Sequence, residues 1–349
     1  MTAFVRETMT SSPADAALER FFAAGAQNLD TPEHRELWSA LSAAASGGKR
    51  LRPAIFHSVY LALGGQQSAV AAEVAGAIEL LHTALVIHDD VIDGDTVRRG
   101  SLNVSGTFAD RARERGHGAA RAGHYGDTAA ILAGDLALTG AVRTLALCGA
   151  APATVAHMLD LLDHALHLTA VGELIDVRLS MDGDADVTAA IAMEHQKTAV
   201  YSFELPLRLA AVLAGADSQY EPALATFARL LGVAYQLRDD LEGMFGDEQR
   251  IGKSALSDLR EGKCTPLIAH ARTTDRWPQI HPHLAAEHID HETAERVRLL
   301  LEQCGSRAYV EELASSLADQ ARQSVAHLPI AGLLHEWVWA VTADAQVLR

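Results

Sequence analysis

His88-Asp89-Asp90-Val91-Ile92-Asp93 closes an apolar run that begins near Ser68, and Asp239-Asp240-Leu241-Glu242-Gly243 closes a second one 150 residues further on. Ile78, Leu81, Leu85 and Ile92 recur at helical spacings in the first run, which predicts one long helix ending in carboxylates. Positions i and i+4 of a helix share a face, so Asp89 and Asp93 turn into the same space. Like charges at that spacing repel, and a helix gains nothing structurally from holding them. A solvated acidic helix end is the bland reading. Two such clusters facing each other would instead offer oxygen ligands to hard divalent cations, Mg2+ above all, holding a polyphosphate.

Helix signals continue on both sides, and strand signals hardly appear. Ser12-Pro13 and Thr31-Pro32 each pair an N-cap with proline at the first helical position. Pro53 marks another helix entry, which Gly64-Gly65 stops. Helical runs are expected at about 127–148, 153–179, 187–214, 221–245, 264–273 and 291–347. Arg111–Asp127, rich in Gly, Ala, Arg and His without an apolar stripe, reads as a surface loop or frayed helix. Met181–Asp186 resembles part of a calcium loop but lacks the downstream glutamate, so a turn is expected. With no repeat and no low-complexity linker, the expectation is one all-α domain over 1–349, a single large bundle of long helices around a central cavity, with 1–15 a flexible N-terminus.

A net charge of −16 with no long basic run excludes nucleic acid as a partner. An acidic protein acting on an anion needs local Lys, Arg or metal ions to reverse the sign at its site. Cys148, Cys264 and Cys304 are scattered and lack CxxC spacing, which fits a reducing compartment. The N-terminus lacks the order of a signal peptide, and the most apolar run carries Asp135 and Arg143. A soluble, cytoplasmic protein without stable membrane insertion is expected.

Basic residues cluster at two places. Arg98-Arg99-Gly100 follows the first acidic cluster closely, and two adjacent guanidiniums suit bidentate contacts to phosphate. Gly47-Gly48-Lys49-Arg50-Leu51-Arg52-Pro53 is not a Walker loop, since no Ser or Thr follows the lysine. It places Lys49 and Arg52 three apart at a helix start, where the dipole favours an anion.

The ordered set GGKRLRP, HDDVIDGDTVRRG, GELIDV, KT followed by YSF, and YQLRDDLEGMFGD with a later GK resembles the trans-type isoprenyl diphosphate synthases, the polyprenyl synthetases, and among them the bacterial geranylgeranyl diphosphate synthases. The likeness runs from about residue 45 to residue 266 with motif order intact. It implies head-to-tail condensation of isopentenyl diphosphate with an allylic diphosphate (dimethylallyl, geranyl or farnesyl) in a homodimeric enzyme. By the same resemblance, isopentenyl diphosphate meets Lys49, Arg52, His82 and Arg99. The allylic diphosphate meets Arg98, Lys197 and Lys253. Three Mg2+ are held by Asp89, Asp93 and Asp239, with Asp90 and Asp240 in support. Thr198, Tyr201 and Gln236 line the path of the cation, and Glu173 and Asp176 fix metal waters or basic side chains.

The second cluster departs from the family's DDxxD pattern, because Gly243 stands where the last carboxylate belongs. Product length in the resembled family depends on residues below the first cluster. Here these are Leu85, Ala84 and Leu81, and the small Ala84 implies a floor open enough for a geranylgeranyl product, with farnesyl or longer products as the alternatives. A class I terpene cyclase would share the first cluster but would not need the GGKR element or a second Asp pair.

Overall fold

The computed structural model describes residues 12–27, 30–246, 259, 262–285 and 289–342. They are helical nearly throughout, as expected. Strand among them is confined to an antiparallel hairpin of two residues a side, β1 (Val97–Arg98) and β2 (Ser101–Leu102). Its turn is made by Arg99 at φ 54° and Gly100 at φ 74°, the pair of left-handed residues that matches strand twist in a two-residue hairpin.

The described residues form two compact units. The first comprises residues up to Leu161 together with Leu209–Ala216. It contains α1 (Pro13–Ala26), α2 (Pro32–Ala45), α3 (Leu51–Ala62), α4 (Ser68–Ile92), the hairpin, α5 (Val104–Glu114) and α6 (Ala119–Ala146). Ser12 Oγ accepts from the Ala14 amide and Thr31 Oγ1 from the His34 amide, so both expected caps form. Helix α1 therefore begins at Pro13, inside the stretch expected to be flexible; residues 1–11 lie outside the described ones. Helix α4 packs against α1, α3 and α6, and α5 against α6.

Arg111–Asp127, expected as a surface loop or frayed helix, is helical apart from the turn at 115–118. The reason is a seam of small residues rather than an apolar stripe. Ala109, Ala112 and Ala122 are buried, and a Cβ at Gly126 would lie 2.4 Å from the Ser105 carbonyl, so α5 and α6 touch backbone to backbone. Helices α4 and α6 are long and apolar enough to cross a membrane, and 67% of the most apolar window of α4 is buried within the protein, as a core helix requires.

The second unit comprises Leu162–Arg208 and the described residues from Asp217 on. It holds most of α7 (Pro152–Asp182), α8 (Val187–Glu194), a π-helical stretch His195–Glu204 leading into α9 (Leu205–Ala214), whose residues from Leu209 on belong to the first unit, then α10 (Tyr220–Phe245), α11 (Pro266–Ala271), α12 (Trp277–Ile280), α13 (His291–Gln303), α14 (Ser306–Ser324) and α15 (Ala331–Thr342). The turn expected at Met181–Asp186 is present: Gly183 takes φ 63° and Asp186 caps α8 through the Ala189 amide. The single run expected over 291–347 is three helices up to Thr342, broken at Gly305 (φ 80°) and between Ser324 and Ala331. Helix α10 packs on α14 and on the π-helical stretch, around a core that includes Leu237, Leu267, Val297 and Leu301.

Candidate active site

The first unit gathers cationic side chains against the carboxylate end of α4. Asp89 and Asp93 are both half-buried, one turn apart, while Asp90 is 4% exposed. Arg98 reaches Asp90 from the hairpin, with Nε at 2.7 Å and Nη2 at 2.6 Å from Oδ1, and its Nη2 lies 3.4 Å from Asp89 Oδ2. Burial pushes the Asp90 carboxyl up, and Arg98 opposes that shift. Asp90, expected in support of the metal ligands, holds the Arg98 guanidinium with this buried oxygen.

The two adjacent arginines point to different partners, in keeping with their expected assignment to different diphosphates. The hairpin turn sends Arg98 to the acidic cluster and Arg99 to the GGKR loop, where a Cβ at Gly48 would meet its guanidinium at 3.2 Å. Only a glycine at that left-handed position (φ 80°) leaves this room. His82, two turns before Asp89, lies where the charges of Arg52, Arg99, Arg98 and Arg50 reach it. Burial first, and then those four arginines, hold its imidazole well below the ordinary range. His82 is therefore neutral and able to donate one N–H to a phosphate oxygen without adding charge. Of the set expected to bind isopentenyl diphosphate, Arg52, His82 and Arg99 converge in this way, and Lys49 sits within the same loop.

The product-length residues divide. Leu85 is half-buried and, at four residues before Asp89, shares its face. Ala84 is 0% exposed, packed with Leu41, Ile87, Ala133 and Ala137, and Leu81 is 1% exposed. Ala84, where an open floor is expected, stands five residues before Asp89, about 140° round the helix, on the side of α4 that meets α6.

In the second unit, Lys197 Nζ lies 2.7 Å from Asp176 Oδ2 and 3.1 Å from Glu173, so the GELIDV carboxylates hold a basic side chain. Lys197, Thr198 and Tyr201 are all on the π-helical stretch, half-buried. Gly172 makes the arrangement possible, since a Cβ there would fall 2.3 Å from the Lys197 backbone nitrogen. Asp239 is exposed at the end of α10. Asp240 accepts from Gln236 Nε2 at 3.0 Å, so Gln236, expected along the cation path, also steadies a carboxylate. Lys253 lies outside the described residues.

Two carboxylates escaped sequence reasoning. Glu194, 3% exposed, is pushed well above the ordinary range by burial and then by Asp240, Asp176 and Asp239. Glu79, 6% exposed, pairs with Arg50. The available signal was a lone glutamate within an apolar helical run.

The described residues are helical nearly throughout, with arginines and carboxylates gathered at the end of α4. Residues 34–301 match the polyprenyl synthetase family, and the chain belongs to it. It is a prenyltransferase, a trans-prenyl diphosphate synthase. It is 29% identical over 316 residues to a geranylgeranyl diphosphate synthase of Methanosarcina mazei, covering 90% of this chain and 89% of the relative. It is 29% identical over 288 residues to the octaprenyl diphosphate synthase of Escherichia coli, covering 82% and 81%. The geranylgeranyl pyrophosphate synthase of Corynebacterium glutamicum, solved with isoprenyl diphosphate and magnesium, superposes with a TM-score of 0.88 at 27% identity, covering 95% of this chain and 97% of that one.

Proposed function

We propose that this protein condenses isopentenyl diphosphate with an allylic diphosphate, head to tail, to give geranylgeranyl diphosphate. The observation that carries the reading is the convergence of Arg52, His82 and Arg99, beside an acidic cluster that already holds a second guanidinium, Arg98. Those two sets offer one diphosphate a neutral donor with cations and the other a cation with metal ligands. In this reading Lys49, Arg52, His82 and Arg99 bind isopentenyl diphosphate, while Arg98, Lys197 and Lys253 bind the allylic diphosphate. Asp89, Asp93 and Asp239 are hard oxygen donors left half-buried or exposed, which fits Mg2+. We place three ions there, with Asp240, gripped by Gln236, in support.

When bound, Mg2+ would neutralise charge that develops on the departing diphosphate. Arg98 and Lys197 interact most strongly with that leaving group as its charge grows, which is differential binding of the transition state. Lys49, Arg52 and Arg99 hold the second substrate so that its double bond attacks in place. Thr198 and Tyr201 border the cation, and the apolar helical surroundings keep water from trapping it.

Leu85 supports a limit on chain length, and relatives named for both geranylgeranyl and octaprenyl products leave farnesyl or longer products as the alternatives. The outer face of α6, with Ile131, Leu132, Leu136 and Val142 between 38% and 50% exposed, supports a homodimer. We place this single-domain enzyme in the cytoplasm. The test is an assay with isopentenyl diphosphate and each of the dimethylallyl, geranyl and farnesyl primers, with and without Mg2+, resolving products by length. A dominant geranylgeranyl product that needs Mg2+ is expected. Release of diphosphate with a cyclic hydrocarbon, and no isopentenyl diphosphate consumed, would assign a cyclase.

A further inference from the structure

Arg50 lies inside the GGKRLRP loop, between Lys49 and Arg52, and its side chain is held by two carboxylates. Its Nη1 lies 2.7 Å from Glu79 Oε1 on α4, and its Nε lies 2.9 Å from Asp15 Oδ1 on α1. The Arg50 and Glu79 side chains are 10% and 8% exposed, so this is a buried pair, while Asp15 is 53% exposed and stands at its rim. The backbone at Arg50 is left-handed, φ 50° and ψ 34°, a conformation a side-chain-bearing residue adopts at a cost. Its carbonyl accepts the Ala54 amide at 2.9 Å and so starts α3. Glu79 stands three residues before His82 on α4, on neighbouring faces of the same helix.

We propose that Arg50 is a positioning residue, a latch that ties the Lys49–Arg52 turn to Glu79 so that Lys49, Arg52 and His82 address one diphosphate. Arg50 does not touch substrate itself. The geometry explains why a strained, non-glycine residue occupies the turn: its guanidinium reaches both α1 and α4. A buried pair of this kind adds little net stability, but its loss leaves a charge stranded and frees the loop it holds. The inference rests on the assignment of Lys49, Arg52 and His82 to isopentenyl diphosphate.

Glu79→Gln, Arg50→Lys and Arg50→Ala are to be compared with the wild type by steady-state kinetics, varying each substrate separately, and by calorimetric binding of isopentenyl diphosphate alone. Glu79→Gln should raise the KM for isopentenyl diphosphate about tenfold, the scale of one lost charge-assisted hydrogen bond. The KM for the allylic diphosphate should stay within about twofold of the wild type. Arg50→Lys, which keeps the charge but loses the two-pronged grip, should fall between. Should Arg50→Ala not fold, Glu79→Gln decides alone. A folded Glu79→Gln with unchanged affinity for isopentenyl diphosphate overturns the latch, as does an equal loss in both KM values. A wild-type protein that neither binds nor consumes isopentenyl diphosphate refutes the substrate assignment instead, and is recognised before any variant is made.

Discussion

Gly172→Ala perturbs the lysine site directly. The added Cβ would lie 2.3 Å from the Lys197 backbone nitrogen and 2.7 Å from both the Lys197 Cα and the Gln196 carbonyl carbon. Ordinary contact begins at 3.4 Å, so the shortfall is 1.1 Å (3.4 − 2.3), and the obstructing atoms are main chain and cannot swing aside. Overpacking of this kind costs about 1–3 kcal/mol. The larger effect falls on Lys197, whose ammonium is held 2.7 Å from Asp176 and 3.1 Å from Glu173. A displacement of about 1 Å at a positioned group costs on the order of a hundredfold in rate. Gly172→Ala should therefore melt a few degrees lower while losing kcat out of proportion to its lost stability. Gly123→Ala on α6 is the matched control, because a Cβ there meets nothing within 4 Å. The measurements are a thermal melt and kcat under saturating substrates for both variants. Wild-type kcat in Gly172→Ala would refute the view that the close approach of α7 sets the lysine.

Arg98→Ala strands the Asp90 carboxylate, whose side chain is 5% exposed. Breaking a fully buried pair costs about 3–5 kcal/mol, and the lower end applies because Arg98 is itself 35% exposed. Denaturant unfolding should show this loss, and Asp90→Asn combined with Arg98→Ala should recover much of it; no recovery would remove the pairing argument. His82 is held well below its ordinary pKa, so the unfolded chain takes up a proton below about pH 6.5 while the folded one does not. Its contribution to stability is whole above that pH and is lost as pH falls. His82→Gln should accordingly show a shallower acid-side decline in melting temperature, and equal slopes would count against it. Ala84→Phe should destabilise by about 1–3 kcal/mol through overpacking against Ala133 and Ala137, whereas Leu85→Ala should lengthen the product. Chromatography of the products of both variants checks this, and a shorter product from a stable Ala84→Phe would uphold the open-floor reading.

Much of the site could be read from the chain because its signals are local. Asp89 and Asp93 sit one turn apart, so their shared face follows from helical pitch alone, and Ser12-Pro13 and Thr31-Pro32 announce helix starts whose caps are formed. The reading failed where the deciding contact was remote. Arg111–Asp127 looked like a loop because Ala and Gly carry no apolar signal, although they are what lets α5 and α6 approach closely. Asp90 looked like Asp89, and only the hairpin that delivers Arg98 distinguishes them.

The order of motifs, the helical class and the acidic and basic residue types were determined by the sequence itself, since periodicity and spacing act over one or two turns. Which carboxylate pairs with an arginine, which arginine faces the GGKR loop, and whether Ala84 meets a cavity or a neighbouring helix were decided only by tertiary structure. Those outcomes depend on burial and on charges brought together from distant positions, and the free energy of an ionisable group is set by what surrounds it rather than by its neighbours along the chain.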